Sequence, residues 1–290
     1  MEQKGDALMA DGEKALKKHF FFFKSDKTDS AHDKFIQAST QYKAAGAFLK
    51  AATALKRAAD ISAKNGDERG MAFELEESAK MFIKANETNS AVELYKRVFE
   101  MHDKKQSFIN AAKVCTAIGE ITGGDEAMMW LERAAKYYRS QGSKVMCSEV
   151  LLKMADSKAL FGDYEGARHI YEEQALEALD DRASRCNARY LFFNALLAQI
   201  ACMSESSLMD DVEVLQEQFD KFQELETQFN ALTRQHMLIT DIIKAIQSEN
   251  LDAYEDAIRE YDNISPLNGV QKKMLLMGKK VLNSRVSDLR

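Results

Sequence analysis

The side chains best suited to chemistry are spread thinly along this chain, and their spacing argues against catalysis. Five histidines (His19, His32, His102, His169 and His236) stand apart, with no HExxH and no His/Cys cluster at ligand spacing, so a protein-built zinc site has little support. Helical magnesium–diphosphate chemistry needs aspartates one turn apart. Asp180-Asp181-Arg182-Ala183-Ser184 and Asp210-Asp211-Val212-Glu213-Val214 both lack the closing carboxylate at the fifth position. Gly123-Gly124 is followed by Asp125-Glu126, whose charges would repel a phosphate, and no GxxxxGK followed by Ser or Thr occurs. The expectation is a protein that is no enzyme and holds no cofactor and no metal.

One cluster suits interfacial chemistry instead. Phe20, Phe21, Phe22 and Phe23 follow Lys17-Lys18-His19 and precede Lys24-Ser25-Asp26-Lys27. Successive helical residues turn by about 100°, so four rings in a row cannot share one buried face, and an extended chain would split them between two sides. Exposed phenylalanines among lysines fit a shallow membrane contact, with rings at the acyl boundary and cations on anionic head groups. A loop folded back over the first helices, burying two or three rings, remains the alternative.

The elements that must position such groups are helices. A single proline (Pro266) stands in 290 residues, and β-branched runs of strand length are nearly absent. Alanine is followed four residues later by a large side chain at Ala38/Tyr42, Ala91/Tyr95, Ala127/Leu131, Ala167/Tyr171 and Ala257/Tyr261. Each pair makes a notch on one helix face that a neighbouring helix can enter. The second to fourth pairs recur roughly every 36 to 40 residues, one helical hairpin per repeat in the tetratricopeptide-like class. Turn signals such as Asn65-Gly66-Asp67, Gly142-Ser143 and Gly162-Asp163 delimit about fourteen helices. The reading places a loop before a second helix near 31–45, a twelfth helix near 229–248 and a last helix near 267–284.

Short connections make antiparallel neighbours, so the expected fold is an all-α, tetratricopeptide-like solenoid over 1–205. Within 206–290 the apolar residues Leu208, Val212, Leu215, Phe219, Phe222, Leu225 and Phe229 follow one another at three and four along more uniform helices, which suggests a compact C-terminal bundle. With 46% apolar and 30% charged residues the chain has material for a core, and a net charge of −6 disfavours broad nucleic-acid binding. No secretory signal is expected near the N-terminus, where acidic residues stand with no long apolar stretch behind them, and the greasy stretch 191–203 is too short to span a bilayer. Cys115, Cys147, Cys186 and Cys202 show no CxxC pair and read as small buried hydrophobes in a reducing, cytoplasmic setting.

The last quarter is more specific. Asn250-Leu251-Asp252-Ala253-Tyr254, Glu260-Tyr261-Asp262-Asn263-Ile264-Ser265, Met274-Leu275-Leu276, Lys279-Lys280 and Asp288-Leu289-Arg290 resemble the end of the soluble NSF attachment proteins of the alpha/beta type. Leu151-Leu152-Lys153-Met154-Ala155-Asp156, Ile170-Tyr171-Glu172 and Leu191-Phe192-Phe193 fit that family's middle hairpins, and the four phenylalanines sit where it has its membrane loop. The resemblance implies an adaptor without catalytic activity that lies along the assembled SNARE bundle and recruits the hexameric ATPase NSF. It further implies a cytoplasmic protein, peripheral on membranes, with Phe20, Phe21, Phe22 and Phe23, in a loop near 19–30, adding a membrane attachment by avidity.

Carried over residue by residue, the family's basic SNARE-facing positions fall on Lys84, Lys113, Lys153, Arg189 and Arg234. Their implied chemistry is charge pairing with acidic residues of the bundle exterior, which sets orientation and on-rate. Glu149 stands where a lysine is expected one turn before Lys153, and Ser107 replaces another basic position beside Lys104 and Lys105. At the C-terminus Asp288, Leu289 and Arg290 match the NSF-contacting end, although Arg285 stands where the family has acid. Glu249, Asp252, Glu255 and Asp256 are further candidates for that contact. The runner-up is a tetratricopeptide-like scaffold for another assembly, whose usual carboxylate clamp has no counterpart here.

Overall fold

Polar and glycine turns cut the chain close to where the sequence marks them. The structure, a computed structural model, describes the backbone of residues 1–17 and 24–288 and the side chains of 1–17 and 28–287. In chain order the helices are α1 (Glu2–Lys17), α2 (Lys24–Ala44), α3 (Phe48–Lys64), α4 (Glu68–Lys84), α5 (Thr88–Lys104), α6 (Phe108–Ile121), α7 (Gly124–Ser140) and α8 (Lys144–Phe161). They continue as α9 (Tyr164–Asp180), α10 (Ala188–Cys202), α11 (Leu208–Leu225), α12 (Arg234–Gln247), α13 (Leu251–Asp262) and α14 (Gly269–Asp288). Among the described residues there is no strand, so the all-α, hairpin-repeat architecture read from the sequence holds. At the turns Gly142 and Gly162 take φ of +67° and +92°, a region costly for residues with a Cβ. Asp67 and Asp163 then start the following helices, each accepting the N–H of a glycine three residues on at 2.9 Å.

Two compact units divide the chain, Met1–Cys147 and Ser148–Arg290. In the first, consecutive helices pack pairwise and mostly through small residues. Gly5 and Gly12 of α1 receive the rings of Tyr42 and Phe35 from α2, and a Cβ at either glycine would lie 2.6 or 2.7 Å from ring carbon. The Tyr42 hydroxyl closes that contact by donating to Asp6 at 2.8 Å. Ala51, Ala52, Ala58 and Ala59 of α3 are buried, as are Ala72 and Ala79 of α4, so the helices approach closely. Glu74, buried between them, accepts from Ser62 at 2.8 Å and pairs with His32 of α2. The pairs Ala38/Tyr42, Ala91/Tyr95 and Ala127/Leu131 are all buried, as notches filled by a neighbour must be.

The second unit is built around α10. Eleven of its fifteen residues are buried, so it is apolar on every side and lies inside the unit rather than on its surface. Phe192 stacks on Phe222 of α11 with centroids 4.2 Å apart, and Phe193 stacks on Tyr261 of α13 at 5.6 Å. The helix α14 seats against α10 at Gly278, where a Cβ would fall on Ile200 and 2.7 Å from the Tyr254 hydroxyl. That hydroxyl, fully buried, donates to the Leu275 carbonyl at 2.9 Å. Buried Gln271 donates to Asn194 at 2.8 Å and fixes the register of the two helices.

Three boundaries differ from the sequence reading. The α2 helix starts at Lys24 rather than near 31, because no glycine or proline interrupts 24–44. The α12 helix starts at Arg234 rather than near 229, since side chains there satisfy a turn. Glu226 accepts from the Gln228 N–H at 2.8 Å, Asn230 from Leu232 at 3.0 Å, and Thr233 caps the helix through His236. Helix α14 reaches Asp288 instead of ending near 284, held by Arg285 to Glu249 at 3.3 Å. The cysteines also divide. Cys115 and Cys147 are buried, Cys202 is half-buried, and Cys186 is exposed on the short turn Arg185–Asn187 that precedes α10. Burial pushes the Cys115 and Cys202 thiols up to about 12, which keeps both protonated and inert.

Candidate functional site

Each basic position marked by the sequence lies on a helix, and within each unit they can be placed against their neighbours. In the first unit Lys84 ends α4, exposed, with its ammonium 5.5 Å from the centre of the Phe48 ring. Lys113 lies on the open face of α6, where the buried face is carried by Ala111, Ala112, Val114, Cys115 and Ile118. Among the described residues it has no ion-pair partner. Lys105 is held by Glu68, whose carboxyl this contact draws below the usual range, while Ser107 precedes α6 and accepts from Asn110 at 3.0 Å.

Between α4, the end of α5 and the start of α6 runs a groove of about 500 Å³, with Phe73, Glu76, His102 and Asn110 among its walls. Phe73 is 64% exposed and shares one stripe of α4 with Lys80 and Lys84. Sequence reading passed over this ring. Its signal was available, because Phe73 stands between Met71, Ala72 and Leu75, whose spacing already fills the buried face of α4.

In the second unit Lys153 is half-buried on α8, near Asp156. Burial raises the Asp156 carboxyl, which accepts from the Tyr171 hydroxyl and is opposed in that rise by the Lys153 charge. Arg189 and Arg234 stand near the starts of α10 and α12, and both charges act on the Tyr261 hydroxyl, which burial pushes up and the arginines draw back. Neither arginine has an ion-pair partner among the described residues. A cation near a helix N-terminus opposes the helix dipole, so both guanidiniums add to already positive ends and favour an anionic partner.

The candidates near the two termini fare differently. Phe20, Phe21, Phe22, Phe23, Leu289 and Arg290 lie outside the described residues, and only the backbone of Asp288 is within them. Of the nearby acids, Glu249 pairs with Arg285 at 3.3 Å, Glu255 with Lys279 at 2.8 Å and Asp256 with Arg259 at 2.7 Å. These internal pairs occupy much of the acidic surface that the sequence offered to a partner. Among the described residues no group of three or more His, Cys, Asp or Glu is placed to hold a metal ion, and no helix is long and apolar enough to cross a membrane.

A helical-repeat scaffold with unpaired cations on open helix faces defines a protein that works by binding other macromolecules. The family described as "Soluble NSF attachment protein, SNAP" matches residues 3–283, and the chain belongs to that family. It is 27% identical to the human alpha-soluble NSF attachment protein over 299 residues, covering 100% of this chain and 98% of that protein. The bovine (Bos taurus) beta-soluble NSF attachment protein is 24% identical, over 96% of this chain and 94% of that protein. The alpha-soluble NSF attachment protein of Saccharomyces cerevisiae is 23% identical, over 91% and 90%.

Proposed function

We propose that this chain is a vesicle-fusion adaptor that binds assembled SNARE complexes and recruits and stimulates the NSF ATPase for their disassembly. The observation that carries this reading is the family match across nearly the whole chain, with relatives aligned over almost their full length. Lys84 and Lys113 of the first unit, and Lys153, Arg189 and Arg234 of the second, meet acidic side chains of the bundle. Because they act at long range, they set orientation and capture rate and are weakened by salt, most of all at the exposed Lys84, Lys113 and Arg234. Phe20, Phe21, Phe22 and Phe23 add a membrane attachment that raises the effective concentration of the adaptor at its target. The protein works in the cytoplasm, peripheral on membranes, and performs no chemistry of its own.

Asp288, Leu289 and Arg290 reach the ATPase. Leu289→Ala is expected to leave SNARE capture intact while lowering the stimulated rate of ATP hydrolysis by NSF; an equal rate removes the residue from that contact. Capture of soluble SNARE complex on immobilised protein at increasing salt tests the reading as a whole. Binding that falls as salt rises supports it, and no binding at low salt ends it.

A further inference from the structure

The groove of the first unit joins apolar surface to unpaired charge. Phe73 stands in its wall on α4, and on α6 the exposed Ile109 (43%) is next to the wall residue Asn110. Helical spacing leads from both side chains to cations. Arg69, Phe73 and Lys84 share one stripe of α4, and Ile109 lies one turn before Lys113 on α6. Every acid of α4 is already met within the chain: Glu68 by Lys105, buried Glu74 by His32, Glu76 by His102 at 3.5 Å, and Glu77 by Lys43 at 3.2 Å and Lys80 at 2.8 Å. Glu120, the acid of α6, is engaged too. Arg69, Lys84 and Lys113 have no ion-pair partner among the described residues, so the charge left over on the two helices is positive. Ser107, where the basic series is interrupted, is also in the wall, so that contact by charge gives way to apolar surface at this point of the face.

We infer that Phe73 and Ile109 anchor apolar side chains of an acidic helical partner, the SNARE bundle, and so set which bundles this chain prefers. The unpaired cations fix the sign of the partner, and the groove fixes its class. A bilayer is met by apolar side chains on a protruding face, whereas Phe73 lines a groove. A nucleic acid would bring its phosphates to the carboxylates of Glu68 and Glu76 in the wall. An amphipathic helix fits both conditions, because it lays apolar residues three and four apart into a groove and carries acids along its flanks. Resting on the adaptor function proposed above, this contact adds to charge pairing an attraction that salt does not screen. Phe73 and Ile109 are thus specificity-determining residues, and they select bundles that present a large apolar side chain among their surface acids.

Capture of soluble SNARE complex by the full chain, at low and at high sodium chloride, tests the inference. Phe73→Ser with Ile109→Ser changes two exposed side chains, so helicity by circular dichroism should be unaltered. Capture should weaken by about tenfold, and by as much at high salt as at low. Phe73→Leu alone keeps an apolar side chain and should stay near the unaltered protein, whereas the loss caused by Lys113→Glu should shrink as salt rises. Equal capture by the unaltered protein and the double serine variant overturns the inference and leaves the adaptor function standing. No capture by the unaltered protein at low salt ends that function, and this inference with it. A serine effect that disappears at high salt would make the two side chains bystanders of the charge contact and overturn the inference as well. Weaker flotation on anionic vesicles with SNARE capture unchanged would assign them to a membrane, with the same consequence.

Discussion

The two units solve the problem of burying helices in opposite ways. In the first, each helix packs on the next in sequence through glycine and alanine notches, as Gly5 and Gly12 do for Tyr42 and Phe35. Contacts are local, and a lesion has a short reach. The second unit wraps its helices around α10, and α14 returns from the end of the chain to pack on it. Its core joins Phe192, Phe193, Phe222, Tyr254 and Tyr261 across three helices. The difference teaches that a repeat unit can offer many equivalent open faces, whereas a centred unit holds a few side chains in fixed relation, as it does Gln271 with Asn194 and Phe193 with Tyr261.

Removing the ring at the centre of the second unit is the hardest test of this contrast. Phe192→Ala is expected to cost about 3–5 kcal/mol and to lower the urea midpoint of the second unit while the first keeps its own. One common shift of every helical signal would break the comparison. Crowding the glycine seats sharpens it: Gly278→Val should cost about 1–3 kcal/mol and speed amide exchange through α10, α13 and α14 together. The matching change, Gly12→Val, should confine its effect to α1 and α2.

On binding, Lys113→Glu combined with Arg189→Glu should weaken SNARE capture by roughly tenfold, about 1.4 kcal/mol, with circular dichroism unchanged. Lost helicity would show that structural residues had been taken for contacts. The smallest effect is a pH slope in the second unit. Burial holds the His236 imidazole below its usual range, with Asp220 acting in the opposite sense. As pH falls the unfolded chain takes up the proton first, so this contribution is complete above about pH 6.5 and is lost towards the lower folded value. His236→Gln should flatten that slope in thermal melts between pH 7 and pH 5.

The hairpins were legible because Ala91/Tyr95 and Ala167/Tyr171 encode notches in four-residue spacing, a local signal. Phe192 and Phe193 are buried because α10 is apolar all round, a signal of composition rather than of period. The start of α12 was not, because the helical pattern through Phe229 and Leu232 conceals a turn stabilised by Glu226 and Asn230 side chains. The seating of α14 was hidden too, since nothing near Gly278 in sequence announces Ile200 or Tyr254. For the surface, lysine positions could be marked by family resemblance, but whether a carboxylate already holds a cation depends on distant chain. Arg285 with Glu249 and Lys279 with Glu255 show this, while Arg189 and Arg234 stay open.

The most direct measurement incubates the protein with detergent-solubilised SNARE complex, NSF, ATP and magnesium, and follows the complex that remains. An adaptor of this family should speed its disappearance well beyond NSF alone, and Lys113→Glu with Arg189→Glu should largely remove the gain. Disassembly no faster than with NSF alone would contradict the account.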